Sequence, residues 1–295
     1  MLLLAALVWG VAFVAQSEGL NYVGAFTFNT CRFILGGAVL IPCIYFLHGR
    51  KDSAWQTLSE KEKKEQTRMG IIGGICCGCI LCLASCLQQF GIAQTTVGKA
   101  GFITTLYIII VPFMGLFLKR KIGINIWISA VIAAVGMYFL CITESFSIGA
   151  GDRLVLMCSM VFSVHILVID HFSPKADGVV ISCVQFFTAG VIASVLMLLF
   201  EHPSVSAVIA AAAPILYAGV MSCGVGYTLQ VVAQNGVDPT VASLLLSLES
   251  VFSVLAGWML LGQKLSGREL FGCVLVFAAV LLVQIPTEKL FHTAQ

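Results

Sequence analysis

The sequence predicts an all-α integral membrane protein in which ten transmembrane helices form two inverted five-helix repeats. Three observations carry this prediction: an apolar composition, ten long apolar runs and a weak internal repeat. Of the 295 residues, 59% are hydrophobic and only 10% are charged, whereas a soluble domain carries about a quarter charged residues. A chain of this composition is expected in a bilayer. The net charge of +2 is too small to indicate a nucleic-acid partner.

Ten apolar runs are each long enough to cross the bilayer core as a helix. Because the core offers no water to backbone groups, only helices or a closed barrel span it, and barrel strands would alternate in polarity. The predicted spans are 1–17, 24–47, 69–93, 97–118, 122–143, 153–170, 178–200, 207–233, 239–261 and 268–286.

A break at 144–152 separates five spans from five, and the two groups resemble each other. A shift of 143 positions aligns 97–121 with 240–264, and both stretches end in lysine. An odd number of spans in each unit makes the units inverted, which is typical of secondary transporters with a site near the bilayer midplane. The predicted parts are a first repeat at 1–143 with a charged cytoplasmic loop at 49–68, a second repeat at 150–286, and a cytoplasmic tail at 287–295.

The positive charges predict the orientation. With both termini in the cytoplasm, most loop lysines and arginines lie inside, and Arg153, Lys264 and Arg268 lie outside. Cytoplasmic loops carry an excess of Lys and Arg. We therefore expect a multi-pass protein of the plasma (inner) membrane with cytoplasmic N- and C-termini.

Most of the twelve cysteines fall inside the predicted spans, which argues against a disulfide framework. Five small residues recur at every fourth position: Gly70, Gly74, Gly78, Cys82 and Cys86. We interpret this stripe as a packing surface for another helix. A metal or redox site is the alternative, but no histidine or carboxylate lies nearby in sequence. We predict no cofactor and no metal.

Four stretches, in this order along the chain, resemble the EamA family of the drug/metabolite transporter superfamily. They are ALVWGVAFVAQ (6–16), CRF (31–33), TTVGKAGFITTLYIIIVPFMGLFLK (95–119) and SLLLSLESVFSVLAGWMLLGQ (243–263). The resemblance implies a 5+5 fold with a central cavity lined mainly by helices 1–4 and 6–9, and export of amino acids, other metabolites or toxic compounds. The ninth helix reads Glu249-Ser250 where Glu-Pro is common, so an expected kink is removed.

Three charged residues lie within or at the edge of the predicted spans, where charges usually face a cavity or a partner. Arg32 either forms a structural ion pair or carbonyl clamp, or contacts the substrate or gate. Glu249 either pairs with Arg32 or Lys99, or binds and releases a proton during transport. Lys99 either extends to the outer interface or attracts an anionic group of the substrate.

Several uncharged side chains and a proline complete the candidate substrate-binding and gating set. His165 either bonds a neighbouring helix or relays protons. Pro112 is the predicted kink and gate hinge. The amides, hydroxyls and aromatic rings either contact substrate or join helices. These last candidates are Trp9, Gln16, Gln88, Thr104, Tyr107, Gln185, Tyr227 and Gln230.

Taken together, these patterns predict a secondary transporter that exports small metabolites by alternating access. Its partners would be a small-molecule substrate and the lipid bilayer; a homodimer stays open. No phosphate loop of the form GxxxxGKS/T occurs, so ATP is not the direct energy source. The alternatives are a small-solute channel, which would need a selectivity ring, and an intramembrane enzyme, which would need clustered ligands such as HExxH.

Overall fold

The computed structural model describes residues 1–49, 54–95, 97–120, 122–141, 148–261 and 266–283, and their regular structure is entirely helical. Eight helical stretches in these ranges are long and apolar enough to cross a membrane, and Ile124–Phe139 is a shorter apolar helix. The protein is therefore a multi-pass helical membrane protein.

We number the helices α1 to α10 in chain order. Seven described helices are continuous: α1 (Leu2–Gly19), α2 (Ala25–Gly49), α3 (Glu60–Ile92), α5 (Ile124–Cys141), α6 (Ala150–Phe172), α7 (Gly178–Phe200) and α10 (Gly267–Val283). Three are interrupted: α4 (Val97–Thr104 and Tyr107–Phe117), α8 (Val205–Ala210, Ala212–Leu216, a π-helical Tyr217–Tyr227, and Thr228–Gln234) and α9 (Pro239–Leu246 and Glu249–Leu261). A short helix at Ala54–Thr57 and a 3₁₀ turn at Ser173–Lys175 lie between them.

The start of α3 differs from the predicted span 69–93, because the helix already begins inside the charged stretch 49–68. The helix begins at Glu60, where a capping box closes it: Glu62 N donates to Ser59 Oγ at 3.3 Å and Ser59 N donates to Glu62 Oε2 at 2.8 Å. Such a box satisfies the first free N–H groups of a helix. The hydrogen bonds from Ser59 also lower the pKa of the Glu62 carboxyl. The charged residues after 59 thus extend α3 beyond its apolar part.

The two halves of the chain interlock through helices that hold equivalent places in each half. α2 packs along α7, and α5 packs along α10. α5 and α10 approach each other closely at Gly136: a Cβ added there would lie only 2.9 Å from the Gly272 carbonyl oxygen. α1 packs against α9 and the π-helical part of α8. α3 packs against both α6 and α7, so it too joins the two halves.

The small-residue stripe of α3 is a packing surface against α7. A Cβ added at Gly74 would lie 2.5 Å from Val184 Cβ, and one at Gly78 would lie 2.6 Å from Thr188 Cβ. Further along the stripe, Cys82 is buried as well. Small residues permit such close approach of membrane helices, so the packing interpretation of the stripe is confirmed.

Carboxylates join α2 to α7 at both ends. Glu201, directly after α7, accepts hydrogen bonds from Phe26 N at 2.9 Å and Thr27 N at 2.8 Å. It therefore caps the first turn of α2, where a negative charge complements the helix dipole. At the other end, Asp177 Oδ2 lies 3.1 Å from His48 Nε2. These contacts fix α2 and α7 as one pair.

Candidate functional site

A cavity lies between the two halves of the chain, and the empty space in it and at its mouth, open solvent included, is about 490 Å³. Within the described residues, its walls come from α1, α2, α3 and α4 of the first half and from α6, α8 and α9 of the second. The lining residues are Trp9, Ala12, Phe13, Gln16, Arg32, Gln88, Thr104, Tyr107, Phe162, His165, Ile166, Ser222, Tyr227, Gln230, Leu246 and Glu249.

Of the predicted binding residues whose side chains the structure describes, all but Gln185 line this cavity. Gln185 lies behind the wall, with its Oε1 3.1 Å from His165 Nε2. The backbone of Lys99 belongs to the first half of α4, and its side chain lies outside the described residues. Thr95 precedes α4 and donates to Asp152 Oδ1 at 2.5 Å. A role in substrate binding stays a prediction for every residue of the candidate set.

Arg32 is a buried cation without a carboxylate partner among the described residues. Its side chain is 2% exposed, and its Nη1 donates to Gln16 Oε1 at 3.0 Å. Its guanidinium carbon lies 4.8 Å from the centre of the Phe33 ring. Nε and Nη2 are buried and have no hydrogen-bond partner among the described residues. The structural ion pair considered for Arg32 is thus absent from the described part, where no carboxylate oxygen lies within 4 Å.

Glu249 is bound by a tyrosine. The hydroxyl of Tyr107 donates to Glu249 Oε1 at 2.9 Å, and both side chains are buried. Of the alternatives for Glu249, an ion pair with Arg32 is not formed in the described part of the chain; pairing with Lys99 falls outside the described side chains. A buried carboxylate needs hydrogen-bond donors, and Tyr107 supplies one from the opposite half of the chain.

Both α4 and α9 are broken at the level of this contact. α4 is interrupted at Thr105 and Leu106, and α9 at Ser247 and Leu248. The repeat shift of 143 positions carries Thr105 onto Leu248, so the two interruptions coincide within one residue. Tyr107 and Glu249 are the first residues of the second half of each helix.

The break in α9 corrects the expectation that α9 would run straight without a proline. Leu248 N bonds to Leu245 O at 3.4 Å, three residues back, which tightens the turn. The hydroxyl of Ser247 donates to Leu244 O at 2.7 Å. Ser and Thr hydroxyls that bond to the preceding turn often bend helices, and Ser247 makes such a bond at the interruption, where no proline is present.

Pro112 lies inside the second half of α4 and not at its interruption. Proline lacks an N–H group, and its ring crowds the carbonyl of the residue four positions earlier, which is Ile108. Ile108 N itself bonds to Thr105 O at 3.1 Å, in the tightened turn beside the break. The proline therefore adjoins the break, and its role as a gate hinge stays a prediction.

The π-helical part of α8 contributes to the cavity wall and packs on α1. Trp9 Nε1 donates to Ser222 O at 3.3 Å, and the rings of Trp9 and Tyr227 lie 4.5 Å apart. A Cβ at Gly226 would lie 2.6 Å from Trp9 Nε1, so only glycine allows this approach. π-helical turns occur frequently at functional sites.

Six lining residues were not predicted from the sequence. They are Ala12, Phe13, Phe162, Ile166, Ser222 and Leu246. Most are apolar, and an apolar residue that lines a cavity has the same composition as one that faces lipid. Helical spacing was the available signal, since residues three or four positions apart share a face. Phe13, for example, lies four positions after Trp9 and three before Gln16.

Both halves of the chain match the EamA-like transporter family, over residues 1–142 and 149–285. The chain belongs to the EamA-like transporter family. EamA proteins are part of the drug/metabolite transporter superfamily, so the resemblance found in the sequence is confirmed.

Two individual proteins resemble this EamA protein over nearly its whole length. An uncharacterized transporter of Archaeoglobus fulgidus is 29% identical over 285 residues, which cover 96% of this chain and 84% of that protein. A protein of known crystal structure superposes with a TM-score of 0.72 at 18% identity, covering 97% of this chain and 98% of that one. The second likeness shows the fold alone. The family and the first relative indicate a membrane transporter and not an enzyme.

Proposed function

We propose that this EamA protein is a secondary transporter that exports small metabolites, such as amino acids or related drug-like compounds, by alternating access through the central cavity. The observation that carries the proposal is the position of the cavity. Side chains from both halves of the chain line it, at the level where α4 and α9 are both broken. A site between two repeats, beside interrupted helices, is typical of secondary transporters.

The proposed topology has ten membrane crossings in two inverted units, with both termini in the cytoplasm. The equal number of helices in each half and the equivalent breaks in α4 and α9 support the two units. The distribution of Lys and Arg supports the orientation. In this placement the end that holds His48, Arg120 and Lys175 faces the cytoplasm, and the end that holds Thr95, Asp152 and Glu201 faces outward.

Two contacts at opposite ends of α4 are the proposed gates. At the cytoplasmic end Arg120 pairs with Asp170 near the end of α6. At the outer end Thr95 bonds to Asp152 in the first turn of α6. Alternating access requires that one end opens while the other stays closed, and the breaks in α4 and α9 allow each end to move separately. The gradient of the solute, a proton gradient or exchange would drive the cycle.

Comparison of the solutes outside cells tests this function. Cells would express wild type, Glu249→Gln or the control Glu65→Gln, which changes a surface carboxylate on the polar part of α3, at matched membrane levels. We expect wild type and Glu65→Gln to enrich specific metabolites outside the cells, and Glu249→Gln to lose most of that enrichment. Absence of enrichment by wild type under several nutrient conditions would contradict export, and solute-independent conductance in a bilayer would indicate a channel.

A further inference from the structure

We propose that Arg32 is an anion-recognition subsite in the cavity, and that the transported solute carries a single carboxylate on an apolar or aromatic body. The inference rests on the proposed transport function, because it names the class of solute that the cavity would carry. Four features of the site support it: an unpaired guanidinium edge, the absence of an ion-pair partner in the described residues, a fixed orientation and aromatic surface in the walls.

The unpaired edge of the Arg32 guanidinium has the geometry that binds a carboxylate. Nη1 donates to Gln16 Oε1, whereas Nε and Nη2 are buried without a hydrogen-bond partner among the described residues. The N–H groups of Nε and Nη2 lie on one side of the guanidinium and are parallel. Two parallel N–H groups bind the two oxygens of a carboxylate, which is the strong bidentate form of an arginine–carboxylate pair.

Arg32 also forms no ion pair within the described residues. Burial of an unpaired charge and of unsatisfied N–H groups carries a substantial free-energy cost. The carboxylate of Glu249, which lines the same cavity, accepts from Tyr107, and no described carboxylate oxygen lies within 4 Å of Arg32. An anionic solute would supply the missing charge and both missing acceptors.

Neighbouring residues hold the guanidinium in place before any solute arrives. The side chain of Gln16 binds Nη1, and the backbone oxygen of Gln16 in turn accepts from Gln89 Nε2 at 3.1 Å. The Phe33 ring lies on one face of the guanidinium, at 4.8 Å. A receptor that is already ordered loses less entropy when it binds, so Gln16 and Gln89 are positioning residues for this subsite.

The remaining walls define the rest of the solute. Arg32 is the one cation among the described lining side chains, which suits a monoanion better than a doubly charged phosphate. Trp9, Phe13, Phe162 and Tyr227 present aromatic surface to the same space.

Matched probe pairs test the subsite on the purified full-length protein in detergent. Each carboxylate is compared with its neutral amide by thermal unfolding: acetate with acetamide, hexanoate with hexanamide, and phenylacetate with phenylacetamide. We expect hexanoate and phenylacetate to raise the unfolding temperature saturably, with little effect of the amides. This comparison needs no variant. Equal effects of acid and amide, or no effect of any carboxylate, would overturn the subsite, and preference for phenyl phosphate over phenylacetate would overturn its assignment to carboxylates.

Variants then locate the effect. Arg32→Gln should weaken binding of phenylacetate by roughly 10- to 100-fold, the loss expected for charge-assisted hydrogen bonds, and Arg32→Lys should retain part of it. The exposed Arg68→Gln is the control and should bind as wild type does. Full phenylacetate binding by a folded Arg32→Gln protein would contradict the assignment.

The two proposals fail in different ways. Export of neutral or cationic solutes only, by a protein that ignores carboxylates, would leave the transport function intact and reject the Arg32 subsite. Carboxylate binding that depends on Arg32, in a protein that exports nothing, would support the subsite and reject the transport function.

Discussion

The hydroxyl of Tyr107 donates a 2.9 Å hydrogen bond to Glu249 Oε1, and each of these residues begins the second half of a broken helix. The contact therefore joins α4 to α9 directly beside both interruptions. Since the two helices belong to different halves of the chain, movement of one half against the other must shift or break this bond. Tyr107 and Glu249 form the central polar contact of the proposed transport cycle.

Removal of the Tyr107 hydroxyl is expected to destabilise the protein. Tyr107→Phe leaves the buried Glu249 carboxylate without this donor, at a cost of about 1–3 kcal/mol. Thermal unfolding of Tyr107→Phe, Glu249→Gln and the double variant would measure the coupling, which should make the double variant less costly than the sum of both. Tyr45→Phe, on the exposed side of α2, is the matched control. Additive effects would show that the two side chains do not interact.

The cap that Glu201 places on α2 predicts a graded loss of stability. Glu201→Ala removes the acceptor of Phe26 N and Thr27 N and should cost about 1–2 kcal/mol, as for loss of a helix cap. Glu201→Gln keeps one acceptor oxygen and should cost less. Glu65→Ala, an exposed carboxylate on α3, should be nearly neutral. Unfolding temperatures in detergent measure all three, and equal stability of Glu201→Ala and wild type would contradict the cap.

Close packing of α3 on α7 predicts that one added methyl group on the contact face lowers the stability of the protein. A Cβ at Gly78 would lie 2.6 Å from the Gln185 carbonyl oxygen, and overpacking of this kind costs about 1–3 kcal/mol. Gly101→Ala, in α4, is the control because nothing lies within 4 Å of its added Cβ. We expect Gly78→Ala to lower the unfolding temperature and Gly101→Ala to leave it unchanged or raise it. The reverse order would refute the packing described for the stripe.

Pro112 is predicted to influence the rate of transport and not the amount of protein in the membrane. Pro112→Ala restores an N–H group to the second half of α4, which should stiffen the helix next to its break. Export rates at matched membrane levels would be compared with those of Pro42→Ala, a change on the exposed side of α2. Identical export rates for Pro112→Ala and wild type would remove Pro112 from the gate.

Helix positions were predictable where one physical signal decides them. The predicted span 178–200 coincides with α7, because a polar loop ends at Asp177 and the following residues are apolar. The start of α9 was predictable from Asp238 and Pro239: Asp238 Oδ1 accepts from Thr240 N at 2.8 Å, and the proline occupies the first turn. The start of α3 was not predictable, since the charged, capped turns at 60–68 lead into the apolar part of the same helix without a change in backbone conformation.

The site was predictable in its polar residues and not in their partners. Polar side chains inside apolar spans stand out in a sequence, which is why Gln16, Arg32 and Glu249 were found. The partner of Glu249 depends on the relative rotation of α4 and α9, and the sequence does not encode that in any local pattern. The break at Ser247 was not predictable for a related reason: hydroxyl-to-backbone bonds accompany it, and these leave no sign in the sequence comparable to a proline.

The most direct test of alternating access asks from which side of the membrane the cavity is reached. Ser222→Cys adds a thiol to the cavity wall, and wild type supplies the background of native cysteines. A charged, membrane-impermeant thiol reagent would be applied to intact cells and to inverted vesicles. We expect Ser222→Cys to react above background from both sides, with protection by exported solute in each case. Reaction from one side only, or no reaction beyond that of wild type, would contradict transport through this cavity.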